Sequence, residues 1–204
     1  MTTTTLEEIL ALLESVPSHP DGAPRILAID GRSAAGKSTL ADALAGRLGP
    51  ECGVVHADHF FLPPELRTPE RRSQPGGNIH YERLLTEVMP FLHRPQAFAY
   101  QPFSCQTGTL DDNSITLPEC HSWRILEGSY ALHPALGHYY DLALFLDITP
   151  DEQLRRITFR NGPAKAAVFQ SLWIPLEEEY IAKCHPQESA TVVRFARPKA
   201  AGRK

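Results

Sequence analysis

The chain has 204 residues, 42% of them hydrophobic and 22% charged, with a formal net charge of −4. This length buries a substantial core in one domain, or one domain with a lid, and the composition is that of a soluble globular protein. No long basic stripe occurs, which argues against nucleic acid as a partner, and no stretch approaches the ~20 apolar residues of a membrane span.

The N-terminal Met1-Thr-Thr-Thr-Thr5 lacks the basic region and apolar run of a signal peptide, so the expected compartment is the cytoplasm. Thr5-x-x-Glu8 reads as a capping box before Leu6, Ile9, Leu10 and Leu13, which predicts a short amphipathic helix ended by Pro17. Arg25–Asp30 is a continuous apolar run closed by Gly31, as in a buried parallel strand. From Lys37 the period becomes helical, through Leu40, Leu44 and Leu48, and Gly49-Pro50 stops it. Gly53–Ala57 predicts a second strand, and residues 62–77 a loop rich in Pro, Arg and Gly. Tyr81–Met89 predicts a helix with Leu84, Leu85 and Val88 inward, stopped by Pro90. Ala97–Gln101 and Ser114–Leu117 predict two strands around an Asp111-Asp112-Asn113 turn. Trp123–Glu127 and Tyr140–Ile148 predict central strands. Thr149-Pro-Asp-Glu152 starts a helix that Asn161-Gly162-Pro163 closes. Ala164–Trp173 and Pro175–Lys183 read as helices, Thr191–Phe195 as a last strand, and the tail from Arg197 as disordered. Cys52, Cys105, Cys120 and Cys184 form no CxxC pair and read as free thiols; His56-x-x-His59 has no second pair at zinc spacing. Strands alternating with helices predict an open parallel α/β sheet, with binding groups at the carboxyl ends of its strands.

Gly31-Arg32-Ser33-Ala34-Ala35-Gly36-Lys37-Ser38 matches G-x-x-x-x-G-K-[ST] in full, with a strand before it and a helix after it. The two glycines let successive N–H groups converge on a phosphate, and the helix adds its positive end. Lys37 is expected on the β and γ phosphates, Ser38 on Mg²⁺, and Thr39 on a phosphate. Asp58 and Glu127 follow predicted strands, so both carboxylates should face this loop. Glu127 is the candidate holder of Mg²⁺. Asp58 is the candidate base for a hydroxyl attacking the γ-phosphate, and a further candidate Mg²⁺ ligand. Arg155, Arg156, Arg160 and Lys165 form a local basic cluster that suits a phosphate substrate.

The chain resembles the uridine kinase-like and phosphoribulokinase-like branch of P-loop kinases. The matching segments are Ile29–Thr39, Asp58-His-Phe-Phe-Leu-Pro-Pro64, Pro75–Arg83, Tyr100-Gln-Pro-Phe103, Leu126-Glu-Gly-Ser-Tyr130, Tyr139–Leu142, Arg155–Gly162 and Trp173-Ile-Pro175. The resemblance implies a three-layer P-loop fold around a five-stranded parallel sheet. A helical lid over about 153–173 and a small β-hairpin at the acceptor site complete that expectation. It implies ATP as donor, Mg²⁺ as cofactor and a nucleoside-like hydroxyl as acceptor; relatives often assemble, which leaves a homo-oligomer open. Residue by residue, it implies Asp58 as catalytic acid–base and Phe61 against the nucleoside. It puts Tyr100 and Phe103 beside the base, and Arg155, Arg156 and Arg160 in the lid. Two departures bear on the acceptor. The ribose-gripping acid of uridine kinases is missing from Gly77-Asn78-Ile79-His80, leaving Asn78 and His80 as its candidates. The hairpin lacks the His found near the pyrimidine in the well-studied enzymes, and Cys105 stands in that neighbourhood.

Arg67, Arg71 and Arg72 read as solvated loop charge, and Trp173 as core. Two other readings stay open: a kinase for another small alcohol, such as pantothenate, nicotinamide riboside or a sugar phosphate, and a nucleotide-dependent switch. No Asn-Lys-x-Asp motif for guanine and no Leu-Ser-Gly-Gly-Gln-like element occurs.

Overall fold

The two longest apolar runs of the chain lack the alternation of a half-exposed strand because both become inner strands of a sheet covered on each face. The computed structural model describes residues 3–195, so the tail expected to be disordered lies outside the described residues. In chain order the elements begin with helix α1 (Leu6–Ser15), strand β1 (Arg25–Gly31), helix α2 (Lys37–Leu48) and strand β2 (Val54–His56). Short helices α3 (Pro69–Arg72), α4 (Tyr81–Glu87) and α5 (Met89–Leu92) precede strands β3 (Phe98–Tyr100), β4 (Phe103–Ser104), β5 (Thr109–Leu110) and β6 (Ile115–Leu117). Strands β7 (Trp123–Glu127) and β8 (Leu142–Leu146), helices α6 (Pro150–Asn161), α7 (Pro163–Val168) and α8 (Ile174–Cys184), and strand β9 (Thr191–Val193) complete the order.

Five strands form one parallel sheet in the order β2-β7-β1-β8-β9. Along β1, Ile26 and Ala28 join one core with Val55, Leu84 and Leu126, while Leu27 and Ile29 join the other with Leu40, Leu44 and Leu144. The connection after β1 leads to one side of it and β8 lies on the other, so the sheet divides at the carboxyl end of β1. That is where an open α/β sheet leaves a crevice.

Most predicted elements form, and the differences have local causes. The Thr5–Glu8 capping box closes on both sides. At Thr149 only half a box forms: the hydroxyl accepts from the Glu152 N–H, but the Glu152 carboxylate turns to Arg155 and Arg156. The loop expected over 62–77 holds a 3-10 turn at Pro64–Leu66 and α3, capped by Thr68. Pro90 does not stop a helix; it sits in the first turn of α5, where its missing N–H costs nothing, and Leu85 is exposed rather than inward. The two strands predicted over 97–117 pair antiparallel as β3 and β6, but a second hairpin, β4 with β5, is nested between them. Helices α7 and α8 run on through a π turn at Phe169–Trp173, which absorbs one residue without a break.

One buried cation fixes the hairpin to the sheet. Arg124, fully buried in β7, donates to the carbonyls of Phe91 (2.7 Å), Leu92 (3.1 Å), Arg94, Pro95 (3.2 Å), Gln96 (2.8 Å) and Pro118 (3.1 Å). Burial holds its guanidinium below the ordinary arginine value, and the carbonyl dipoles take the place of a carboxylate partner.

Candidate active site

β1 ends at Gly31, whose φ is +135° and where an added Cβ would lie 2.1 Å from the Leu146 carbonyl oxygen. Only glycine lets the chain turn this close to β8. The loop then runs through Arg32, Ser33, Ala34 and Ala35 to Gly36, the N-cap of α2, which has no side-chain cap to compete for the first helical N–H groups. Lys37 is almost fully buried and donates to Gly31 O (2.8 Å), Arg32 O (3.1 Å) and Ser129 Oγ (3.2 Å).

The loop is braced from three sides. Arg32 donates from Nε to Asp147 Oδ1 at 2.8 Å and pairs with Glu178. Glu177 Oε2 accepts from Ser33 N (2.6 Å) and Ser33 Oγ (2.7 Å), while its Oε1 accepts from Gln153 Nε2 (2.7 Å). Arg156 donates from Nη1 to Ala34 O and Ala35 O, both at 3.2 Å, and from Nε to Glu152 at 2.6 Å. Beneath the loop, Asp30 accepts from Gly31 N, Tyr130 N, Leu132 N and Tyr180 Oη at 2.6–3.0 Å. Burial raises its carboxyl, against the lowering effect of those donors.

Beside the loop lies a cleft of about 350 Å³, lined by Lys37, Ser38, Thr39, Asp58, Glu127 and Arg160 among others. Gly128, with φ +143°, brings β7 against the end of β2: an added Cβ there would meet Ala57 Cβ at 2.6 Å. Asp58 and Glu127 thus come from adjacent strand ends. Asp58 lies in a 3-10 turn at Ala57–Phe60 just beyond β2 and opens to the cleft. Desolvation in the cleft raises its carboxyl, with Lys37 opposing and Glu127 reinforcing. Ser38 Oγ donates to Glu127 Oε1 at 3.0 Å. The same oxygen lies 2.6 Å from His56 Nδ1, and that hydrogen bond raises the His56 imidazole. Hydroxyl and carboxylate oxygens make a donor set that suits a hard divalent cation such as Mg²⁺.

A second cavity of about 370 Å³ adjoins the first, and the two share Ser33, Phe61, Ser129 and Phe169. Phe61 and Asn78 line it, as the sequence anticipates. Cys105 also lies on its wall. Four other expected acceptor residues lie elsewhere. Tyr100 is buried under the hairpin against Phe60, its hydroxyl 3.0 Å from His59 Nδ1. His80 turns to Glu82 at 3.0 Å because its backbone starts α4. Phe103 lines a separate surface recess with Pro102 and Asp111. Arg155 points to solvent on the far face of α6 and pairs with Glu152 at 2.7 Å.

Sequence reasoning missed several lining residues. Arg67 and Trp173, read as solvated charge and core, both line the cavity, as do Tyr130 and Phe169; Lys165, from the basic cluster noted in the sequence, lines it too. Arg71, from the same loop as Arg67, instead binds Gly77 O, Ile79 O and Glu82. Ser129 and Tyr130 were legible in principle, since they follow Glu127-Gly128 at a strand end. Glu177 and His56 carry no local signal, because their partners are 144 and 71 residues away in sequence.

No protein-family model and no curated protein sequence matches the chain. Solved structures do. A candidate uridine kinase from Bacillus stearothermophilus superposes with a TM-score of 0.69 at 18% identity, over 92% of this chain and 96% of that one. A proposed fructose transport system kinase from a Silicibacter species superposes with a TM-score of 0.70 at 21% identity, over 97% and 100%. The D-glycerate 3-kinase of Cryptococcus neoformans superposes with a TM-score of 0.52 at 14% identity, over 86% and 85%. At these identities the likeness shows the fold, which is that of P-loop small-molecule kinases.

Proposed function

We propose that this chain, folded as those kinases are, transfers the γ-phosphate of ATP to a hydroxyl of a small molecule. The observation that carries the reading is adjacency: the cleft holding Lys37, Ser38, Asp58, Glu127 and Arg160 shares four wall residues with a neighbouring cavity of a size for a small acceptor. The neighbours support it, since uridine, fructose and D-glycerate in their names are all hydroxyl-bearing small molecules. The N–H groups of Ala34 and of Gly36 to Thr39, with the ammonium of Lys37, hold the triphosphate, while Ser33 N stays with Glu177 and Ala35 N with Arg32 O. Ser38 and Glu127 would hold Mg²⁺, which when bound offsets the charge of the phosphate oxygens. Asp58, its carboxyl raised toward the working range of a base, takes the proton of the acceptor hydroxyl. That oxygen forms a bond to the γ-phosphorus as the bridging P–O bond breaks, and ADP leaves. Arg160 faces the charge that develops on the transferred group, whereas Arg156 acts through the loop whose carbonyls it holds. The segment α6–α7 with the π turn serves as the lid and excludes water.

The test is ADP release from Mg·ATP, with and without a panel of nucleosides, pantothenate and sugar alcohols. Stimulation well above background by one alcohol supports the kinase and names its acceptor. Slow hydrolysis that no alcohol accelerates, with ATP bound, points to a nucleotide-dependent switch instead.

A further inference from the structure

The wall of the acceptor cavity carries two cations and no carboxylate. Arg67 reaches it from the loop before α3, and Lys165 from α7. Arg67 spends only Nε, on Leu62 O at 2.6 Å, and neither side chain has a carboxylate within ion-pair distance among the described residues. The acids nearby are otherwise engaged. Both oxygens of Glu177 accept from Ser33 and Gln153, and Asp58 stands in the phosphate cleft beside Lys37 and Arg160. Asn78 also lines the cavity, but its side chain is turned to Tyr130 and its Oδ1 is sealed from the cavity. Lys165 is exposed and Arg67 half-buried, so both are accessible to a ligand in the cavity. The rest of that wall is largely aromatic, with Phe61, Phe169 and Trp173.

From this we infer that the acceptor is an alcohol that also carries an anionic group, a carboxylate or a phosphate, bound by Arg67 and Lys165. The inference rests on the kinase reading and narrows it. An uncharged nucleoside could fill the aromatic wall, but it would leave both cations without a partner. The free Nη groups of Arg67 match the planar oxygens of carboxylate or phosphate in pairs, and Lys165 adds a point charge.

The experiment uses matched alcohols and two readouts. Pantothenate is compared with pantothenol for the carboxylate arm, ribose 5-phosphate with ribose for the phosphate arm, and uridine serves as the uncharged nucleoside. Binding is followed by Trp173 fluorescence in the Trp123→Phe protein, which leaves Trp173 as the sole tryptophan. Transfer is followed by ADP release. The expected result is at least ~10-fold tighter binding of one charged member than of its neutral partner. Arg67→Gln and Lys165→Gln should each cut that ratio by about 10-fold, as loss of one charge-assisted contact does. ATP affinity, measured in parallel, checks that each variant is folded. The inference fails if a neutral alcohol is bound or phosphorylated as well as its charged partner, or if the ratio survives both substitutions. It fails equally if no charged member moves the Trp173 signal at millimolar concentration. Equal losses of ATP and acceptor affinity in both variants would assign the cations to the nucleotide instead and overturn it. Binding without any transfer leaves the anion subsite standing and sinks the kinase reading.

Discussion

The proposed phosphate cleft and the proposed acceptor cavity are built on opposite plans. Around the P-loop nearly every charge is answered from within the chain. Lys37 rests on loop carbonyls, Glu177 holds Ser33, Arg32 is held by Asp147 and Glu178, and Arg156 holds Ala34 and Ala35. At the proposed acceptor end, Arg67 and Lys165 line the cavity without a carboxylate partner among the described residues. The first arrangement fixes geometry before any ligand arrives, which is what electrostatic stabilisation of a transferring phosphoryl group requires. The second leaves valences for the ligand to complete, which is what discrimination requires. Changes at the phosphate end should therefore act on rate, and changes at the hairpin end on stability and choice of acceptor.

The sharpest test of that division is Asp58→Asn. The amide keeps shape and cannot take the proton, so transfer should fall by ~10²–10⁴-fold with ATP affinity retained. Equal turnover of variant and wild type in a steady-state ADP assay would remove Asp58 from the mechanism. Stability is tested apart from both cavities by Arg124→Met, at the start of β7, which strands a set of carbonyls at the foot of the hairpin. Its cost is expected at about 3 kcal/mol, or roughly 6–12 °C in melting temperature. A melting curve like that of the wild type would mean that the hairpin does not depend on this cation.

Glu177→Gln sits between these two in kind and below them in size. It removes the charge that orders Ser33, at about 1–2 kcal/mol of stability. If the brace pre-forms the loop, the dissociation constant for Mg·ATP rises several-fold in a calorimetric titration. A fall in that constant would reverse the reading, because the Glu177 carboxylate would then be competing with nucleotide for the Ser33 N–H.

The same contrast governs what could be read from sequence. The phosphate end was legible because its geometry is local: eight consecutive residues from Gly31 to Ser38, a strand before and a helix after. Asp58 and Glu127 could be located because they follow predicted strands. The acceptor end is assembled from residues far apart, namely Phe61, Asn78, Cys105, Tyr130 and Lys165, and proximity in the motif misled there. Tyr100 and His80 lie in matching segments, yet one packs under the hairpin and the other starts a helix. Arg67 and Arg71 look alike in a loop of arginines; only the fold turns one to the cavity and the other to backbone carbonyls. The nested β4–β5 hairpin was missed because two-residue strands carry no period.

His133 gives the finest probe of the acceptor end, through pH. Its ring lies between Tyr81, with centroids 5.0 Å apart, and Tyr180, 6.1 Å apart. It joins the segment after β7 to the loop that leads into Asn78: Nε2 lies 3.0 Å from Pro75 O, and Nδ1 accepts from Ala135 N at 3.1 Å. This network calls for the neutral ring with its proton on Nε2. Burial lowers the imidazole, with Pro75 opposing and Arg71 assisting. A base whose folded pKa lies below its unfolded value of about 6.5 binds its proton better in the unfolded chain. Its contribution to stability is therefore full above that value and falls as pH drops through it, levelling off below the folded pKa. The limit is one proton, or about 1.4 kcal/mol per pH unit. His133→Phe keeps the stacking and removes the titration, so denaturation at pH 8 and at pH 5.5 should show a smaller loss in the variant than in the wild type. His56, raised by Glu127, titrates with the opposite sign but is common to both proteins and cancels in the comparison. Identical losses would mean that the ring takes up its proton without cost, and the link between the Pro75 loop and the β7 segment would then not be what orders the acceptor end.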